Sequence, residues 1–497
     1  MIIDNIEVKG VTCDSRKVKK GYAFVAIKGE TKDGNDFIDK AIEKGASIIF
    51  TEKDLNIQGV IVKKVENARK TLGDLCNAFY DYPTEKLKVI GVTGTNGKTT
   101  TTHLIYHMLK EQGIAAGLIG TLDVRIKDKQ YKTKLTTPDA EVTYAYLHKM
   151  VKEKVEVVVM EVSSHGLKNE RVQGIKFDIA VHTNIERDHL NFHKTVEDYI
   201  ASKKKLFDQL PQGKFAVINL DDHNALKLLE NNRHILVVTY GLNAKATITA
   251  STIDTDFSTS FNYCLQRGLT TLSGIEVEAF EYPITINLLG KHNIYNTLAA
   301  VTCGLLLDIP INHMAKALKK ITFIPRRMEI IYRGEYMVID DFCHNPASYE
   351  TVFESLQGMQ YKNLHIINAI RGSRGLEINY EIAEVLKQWY TILKVKNMMI
   401  TSSSDYTQSL DVVTKLERDI YIETLSRGNI SFQYEEKLRT SISKALCMLE
   451  KGDILLLLGA QGMEEGAKIF INMLQTKHKW DETENFKYQQ RDITPRH

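Results

Sequence analysis

"GVTGTNGKTTTTHLI", residues 91–105, decides how the rest of this chain is read. An apolar strand, Lys88-Val89-Ile90-Gly91-Val92, runs into a Gly/Thr/Asn loop, and the loop runs into a helical pattern. The stretch resembles a P-loop. Gly94, Thr95, Asn96 and Gly97 would turn backbone N–H groups inward around phosphate oxygens, and the helix would add its positive N-terminal end. Lys98 is expected to reach the β- and γ-phosphates of a nucleotide and Thr99 to bind Mg²⁺, with Thr100 beside it. The spacing departs from the usual motif, since only two residues separate Gly94 from Gly97. The order strand, loop, Lys-Thr, helix still favours a nucleotide site over a plain Gly-rich turn. It does not choose among a motor, a kinase, a GTPase and a ligase.

Outward from the loop, apolar runs alternate with helical stretches. "VEVVVMEV" (155–162) and "FDIAVHTNI" (177–185) are too apolar for strands with one wet face and read as buried parallel strands. Glu161 closes the first of them. Ligands of open α/β sheets sit outside the carboxyl ends of the strands, so a carboxylate there suits a nucleotide-borne Mg²⁺ better than a merely exposed strand end. His189 follows the second strand and is a candidate second-metal ligand; His182 and His193 are weaker ones, because a lone histidine is more often structural. "YIASKKKLF" holds three consecutive lysines, Lys203 to Lys205, and two of the three suit an ordinary solvated helix face.

Before the loop, residues 1–86 mix short strands and helices, and "DYPTEKLK" marks a boundary. "FIPRRMEII" (323–331) marks a second. After it "YMVIDDF", "NLHIINAI", "NMMITSS" and "DILLLLGA" alternate with helical sequence as a further α/β unit. The expected architecture is therefore α/β in three domains. A small N-terminal α/β domain covers 1–86, a central P-loop ATPase-type parallel sheet 87–328, and a C-terminal Rossmann-like α/β domain 329–497. The polar end from Thr476 to His497 is expected to be loosely ordered.

Composition narrows the class. The chain has 497 residues, is 43% apolar and 26% charged, and carries a net charge of +3, which gives no global reason to expect nucleic acid. Its six cysteines form no CxxC pair, which argues against a zinc site or a disulfide framework and suits a reducing cytosol. No signal peptide is visible, and no apolar run nears the roughly 20 residues needed to span a bilayer. A cytoplasmic protein without membrane insertion is expected.

"GVTGTNGKTTT", "TTPD" (136–139), "EVSSHGL" (161–167), "RVQGIKFD" (171–178), "TNIERDHLNFH" (183–193) and "YIASKKKLF" (199–207) occur in the order and spacing of the Mur ligases. The N-terminal "TCDSRKVKKGYAFVAIKGETKDGNDFIDKAIEKGA" and the later "INLDDHN", "LLGKHNIYNTLAAV" and "RRMEII" extend the resemblance over the whole chain, most closely to the tripeptide-forming (MurE-type) branch. The short P-loop is itself a trait of that family. The resemblance implies an ATP-dependent amide ligase of peptidoglycan precursor synthesis. Its partners would be UDP-MurNAc-L-Ala-D-Glu (the UDP-MurNAc-dipeptide) and a free amino acid, joined through an acyl phosphate. It implies two Mg²⁺ ions held by Thr99, Glu161, His189 and a CO₂-derived carbamate on Lys203, and a monomer. By the same resemblance Ser15, Thr136, Thr137, Ser163 and Arg171 hold the UDP-linked acceptor. Asn293 and Asn296 pack ATP's adenine, Arg327 contacts phosphate, and Asp341 and His344 lie at the ribose. Arg374, Gly462 and Glu464 face the amino acid. A sister ligase for another UDP-linked peptide, such as a pseudomurein precursor, is the nearest alternative, and a catalytically silent UDP-peptide-binding paralogue is another.

The match fails around the incoming amino acid. Enzymes of the family that add meso-diaminopimelate carry DNPR after a C-terminal strand, and its Arg grips the distal carboxylate. Here the strand is followed by "TSSSDY" (401–406), the family's GGDRD becomes "RGSRG" (371–375), and GKGHE becomes "AQGME" (460–464). The expectation is weak use of meso-diaminopimelate and better use of L-Lys, L-Orn or a small neutral amino acid. Asp405 would attract a distal ammonium if it faces the pocket, Arg374 would take the α-carboxylate, and Arg371 is the fallback cation.

Overall fold

The computed structural model describes residues 1–29, 32–188, 190–243, 245–255, 258–407, 411–428 and 430–477, without the side chains of residues 190 and 191. His189 and nearly all of the polar C-terminal end lie outside the described residues. The chain forms two compact units. One is 1–325 with 354–359, and the other is 326–353 with the rest of the C-terminal part. Among the described residues the first unit holds a four-stranded and an eleven-stranded sheet with two small two-stranded ones, and the second holds a six-stranded sheet.

The N-terminal sheet has four parallel strands in chain order, Gly10–Thr12, Tyr22–Val25, Ala46–Thr51 and Ile61–Lys64. The helix Ile38–Glu43 feeds the third strand through Gly45. Its φ of +90° and the Lys20 Cα, 3.0 Å from where a Cβ would stand, leave room for glycine only.

The central sheet has eleven strands. Its middle runs Ala116–Ile119, Val157–Glu161, Lys88–Thr93, Ile179–His182, Phe215–Asn219, Leu236–Tyr240 and Ile248–Asp254, all parallel. Every residue of Val157–Glu161 and of Ile179–His182 is buried, as their unbroken apolar character predicts. One face packs on the helices Lys98–Glu111, His292–Leu306 and Ile311–Lys319. The other face shares a core with the N-terminal sheet, in which Val8, Ala23, Val25 and Ile48 join Val89, Val158 and Tyr144. Both edges are antiparallel: Val124–Ile126 with Lys129–Tyr131 at one, and Thr259–Leu265 with Phe280–Ile286 at the other.

The C-terminal sheet has six strands in the order Glu329–Arg333, Met337–Asp341, Ile454–Leu458, Leu364–Ala369, Val395–Thr401 and Gln433–Glu435. All neighbours are parallel except the first pair. Because the strand 454–458 inserts between 337–341 and 364–369, the order reverses there, and the carboxyl ends of these strands flank a switch point where α/β sheets bind ligands. All six cysteines are free thiols.

Candidate functional site

The loop 94–97 is shaped by the segment that follows the next strand. Thr183 Oγ1 donates to the Asn96 carbonyl (2.6 Å), Asn184 Oδ1 accepts from the Asn96 N–H (2.9 Å), and the Asn184 carbonyl accepts from the Thr95 N–H (2.7 Å). Thr183 Oγ1 lies 1.8 Å from where a Cβ on Gly94 would stand, and Asn296 Oδ1 lies 2.4 Å from one on Gly97. The two glycines are thus required by close approach as well as by their positive φ angles of +152° and +85°. Lys98 opens the helix 98–111, and its Nζ donates to the carbonyls of Gly94 (2.8 Å) and Thr95 (2.9 Å), across the mouth of the loop. Thr100 is buried in the first helical turn.

Glu161, fully buried at the carboxyl end of its strand, meets Thr99 there. Its Oε2 accepts from Thr99 Oγ1 (2.9 Å) and from Thr121 Oγ1 (2.9 Å), and its Oε1 accepts from the Thr121 N–H (2.8 Å). A hydroxyl and a carboxylate in contact at the end of a phosphate loop form an all-oxygen donor set that fits Mg²⁺. Among the described residues no group of three His, Cys, Asp or Glu could hold a metal ion.

Lys203 is the buried member of its lysine run. It is 1% exposed, its Nζ sits 4.3 Å from the centre of the Tyr199 ring, and it forms no ion pair among the described residues. Burial, then the positive charge of Lys98, push its ammonium well below the usual lysine range, against the opposing pull of Asp188 and Asp222. Lys204 pairs with Asp208 and Lys205 with Glu170, each partly exposed. The Tyr199 hydroxyl reaches Thr95 Oγ1 (3.0 Å), so one side chain spans from Lys203 to the phosphate loop.

The acceptor candidates also converge. Thr137 Oγ1 donates to the Glu161 carbonyl (3.0 Å) and lies 3.0 Å from Ser163 Oγ, while Thr136 Oγ1 accepts from Thr121 Oγ1 (3.0 Å). Arg171 donates from Nη1 to the Thr137 carbonyl (3.0 Å) and pairs with Asp139 through Nε (2.9 Å). Ser15 is buried in the loop after the first strand of the N-terminal sheet. Asn293 and Asn296 are held inside the protein: Asn293 Nδ2 donates to the Leu289 carbonyl (2.7 Å), and Asn296 joins Asn293 Oδ1 (3.0 Å) to Thr101 (3.3 Å) behind Gly97. His182 is buried 3.0 Å from Asp222, and His193 is buried among Phe192, His165 and Tyr199.

In the second unit, Asp341 ends the strand 337–341. Its Oδ2 accepts from the Met328 N–H (2.8 Å) and its Oδ1 from the Cys343 thiol (3.1 Å). Burial raises its carboxyl against the pull of Arg327. Arg326 and Arg327 cover the Phe342 ring at 5.0 and 5.1 Å. His344 Nδ1 lies 3.2 Å from the Phe342 carbonyl. The loop 371–375 hangs on Glu417, which accepts from the N–H groups of Ser373, Arg374 and Gly375 (2.8–3.0 Å). Arg374 Nη2 meets Asp411 (3.1 Å), and Arg371 Nη1 donates to the His344 carbonyl (2.5 Å). Gly462 is buried and Glu464 exposed in the loop after the strand 454–458.

Asp405 corrects one expectation. Its two oxygens accept from the N–H groups of Leu438 (2.9 Å) and Arg439 (3.1 Å) at the start of the helix Leu438–Met448. It caps that helix, where the dipole favours a negative charge, and is not aimed at a substrate ammonium.

Sequence reasoning passed over Thr121, Thr183, Asn184, Tyr199 and Glu417. Thr183, Asn184 and Tyr199 sit inside quoted motifs, immediately after a buried strand or one helical turn before Lys203, and that placement was the available signal. Thr121 and Glu417 act from segments without a motif.

Comparison with known proteins adds the lineage. Family profiles match in chain order: the Mur ligase family catalytic domain over residues 7–80, the Mur ligase middle domain over 92–304, and the Mur ligase glutamate ligase domain over 326–461. The UDP-N-acetylmuramoyl-L-alanyl-D-glutamate–2,6-diaminopimelate ligase of Oceanobacillus iheyensis is 33% identical over 488 residues, 97% of this chain and 94% of its own. A solved structure of a ligase with that name superposes with a TM-score of 0.66 at 24% identity, over 95% of this chain and 96% of the other. The MurF ligase from Thermotoga maritima in complex with ADP gives 0.64 at 18% identity, over 96% and 100%. The solved structures establish the shared three-domain fold, and the profiles and the near-complete curated match settle the lineage: the chain belongs to the Mur ligase family.

Proposed function

We propose that this ATP-dependent ligase joins an amino acid to the D-Glu γ-carboxylate of UDP-MurNAc-L-Ala-D-Glu, in peptidoglycan precursor synthesis. Residues 1–86 would hold the UDP end through Ser15. Residues 87–328 would hold ATP and the dipeptide through the phosphate loop, Thr136, Thr137, Ser163 and Arg171. Residues 329–497 would present the amino acid beside Arg374, Gly462 and Glu464, and Arg327, Asp341 and His344 would contact the nucleotide. The observation that carries the reading is the contact of Thr99 with Glu161, which Thr121 and Thr137 connect to the hydroxyls of Thr136 and Ser163. It supports reading the phosphate loop as the neighbour of a polar acceptor cradle, which a motor or a GTPase does not need.

A carboxylate is a poor acyl donor because oxide does not leave. A γ-carboxylate oxygen attacks the γ-phosphorus of ATP, the bond to the bridging oxygen breaks, and ADP departs. The amine nitrogen then attacks the acyl carbon, loses a proton, and expels phosphate. The barrier is dominated by the crowding of negative charge between carboxylate and triphosphate, so cations and positioning supply most of the catalysis. Lys98 would bring its ammonium from the loop carbonyls to the phosphates. Thr99, Glu161 and His189 would hold Mg²⁺, which would neutralise part of that charge. Burial and Lys98 favour the neutral Lys203 amine, the form that would add CO₂, and the resulting carbamate would turn a cation into an anionic oxygen donor. Arg171, fixed by Asp139, would orient the dipeptide.

We take the protein to be a cytoplasmic monomer. Among the described residues no helix is long and apolar enough to cross a membrane. Phosphate release with UDP-MurNAc-L-Ala-D-Glu across a panel of amino acids, with product masses read out, tests the proposal. ATP- and amino-acid-dependent formation of the tripeptide supports it, and silence across the panel refutes it.

A further inference from the structure

Glu141 has no part in the chemistry above, yet it receives the loop that carries Ser15. It lies in the first turn of the helix Ala140–Lys152, directly after "TTPD". Its Oε2 accepts from Thr12 Oγ1 (2.7 Å) and from the Cys13 N–H (3.3 Å), and its Oε1 pairs with Lys17 Nζ (2.5 Å). Donors separated from it by 124 to 129 residues therefore meet on one carboxylate whose side chain is 13% exposed. Two residues earlier, Asp139 binds Arg171, and Arg171 binds the Thr137 carbonyl. The turn 136–141 thus grips the uridine-side loop with one acid and the dipeptide-side arginine with another.

We propose that Glu141 is a positioning residue that fixes the distance and register between the uridine-diphosphate end and the dipeptide end of the acceptor site. The inference rests on the acceptor reading of Ser15, Thr137 and Arg171 above. A long acceptor held at both ends loses affinity when the two grips shift against each other, whereas a fragment held at one end does not. ATP, held by the phosphate loop, is indifferent to that register.

Steady-state ligation by the full chain, varying acceptor and ATP in turn, tests this. Glu141→Gln keeps the size and one accepting oxygen but turns an amide NH₂ toward Thr12 or Lys17. It is expected to raise KM for the UDP-MurNAc-dipeptide about tenfold, with kcat and the KM for ATP within about twofold of wild type. Calorimetry with UDP alone is expected to give the same Kd for both proteins within about twofold, because UDP engages one grip only. Glu141→Asp, which keeps the charge, is expected to recover part of the acceptor KM. Thr12→Val combined with Glu141→Gln is expected to add less than the sum of the two, since both break the same contact. An unchanged acceptor KM, or a parallel rise in the KM values for acceptor and ATP, overturns the inference and leaves Glu141 as a packing residue. A wild-type protein that neither ligates nor binds the acceptor overturns the functional reading, and the inference with it; normal wild-type behaviour matched by Glu141→Gln overturns the inference alone.

Discussion

Lys203, Lys204 and Lys205 occupy consecutive positions of one helix and three different environments. Lys203 is enclosed over the Tyr199 ring, while the other two reach carboxylates nearer the surface. An amine that burial and Lys98 push toward its neutral form is better placed to react with CO₂ than a surface ammonium. Lys203→Ala is therefore expected to be nearly inactive and partly rescued by small carboxylic acids that replace the carbamate oxygens, while Lys204→Ala and Lys205→Ala stay active. Equal behaviour of all three in the ligation assay would reduce the run to a charged helix face. Lys98→Ala is expected to abolish ligation yet leave calorimetric binding of the UDP-MurNAc-dipeptide largely intact, because its ammonium lies on the loop carbonyls of Gly94 and Thr95 and not among the acceptor hydroxyls. Retained turnover would remove the phosphate-loop assignment. At this scale the sequence was informative about residue type but not about environment. "KKK" announces a helix face, and only packing selects the one lysine that leaves water.

The segment Thr401–Tyr406 and the helix Leu438–Met448 show the limit of motif reading at the scale of elements. The missing cation in "TSSSDY" is legible from letters alone. The fate of Asp405 is not, because its hydrogen-bond partners lie 33 and 34 residues downstream, on a helix whose own N-cap residue, Lys437, offers no side-chain acceptor. Asp405→Ala is accordingly expected to lower the stability of the C-terminal unit by about 1 kcal/mol through the lost cap. Asp405→Asn, which removes the charge and keeps an accepting oxygen, is expected to leave the ratio of kcat/KM for L-Lys and meso-diaminopimelate unchanged; a shifted ratio would return Asp405 to the pocket. The amino acid preference then rests on the missing arginine alone. A distal carboxylate that loses a bidentate cationic partner forfeits on the order of 2–5 kcal/mol, tenfold or well beyond in selectivity. We expect L-Lys, L-Orn or a small neutral amino acid to be used better than meso-diaminopimelate, although the curated relatives are named as diaminopimelate ligases. A clear preference for meso-diaminopimelate in the same assay would reject this and make Arg371 the residue to substitute.

Across the whole molecule, the buried parallel strands were legible because a strand covered on both faces is apolar along its length, as "VVVM" (157–160) ahead of Glu161 and "ILLLL" (454–458) are. The antiparallel edge strands Thr259–Leu265 and Phe280–Ile286 were not. Thr259–Leu265 alternates buried and half-buried residues before three buried ones, and Phe280–Ile286 alternates half-buried with exposed residues before turning inward; such broken patterns resemble loop sequence until a partner strand is known. Scattered buried and half-buried histidines were equally silent, and they bear on how the fold responds to acid. In the first unit, burial lowers His107, His193 and His292 from the usual 6.5 to about 4. In the second, burial lowers His365 despite the carboxylate of Asp453 beside it. A histidine whose folded pKa is depressed binds a proton more readily in the unfolded chain. Stability is then fully present above the unfolded value near 6.5 and falls as the pH drops toward the folded value near 4. Glu417 adds to the loss at lower pH: burial raises its carboxyl, but the N–H donors of Thr414, Gly375 and Ser373 outweigh burial and hold it below the ordinary carboxylate range. Calorimetric unfolding is therefore expected to show a lower thermal midpoint near pH 5 than near pH 7 for the first unit; in the second, Asp340, which burial raises to about 6, takes up a proton in the folded state and opposes the effect of His365. His107→Gln removes one of these protons and is expected to shallow the decline of the N-terminal transition while leaving the C-terminal one unmoved. A midpoint that is flat from neutrality to pH 5, or a C-terminal transition that follows the His107 substitution, would show that the acid response does not reside in these buried imidazoles.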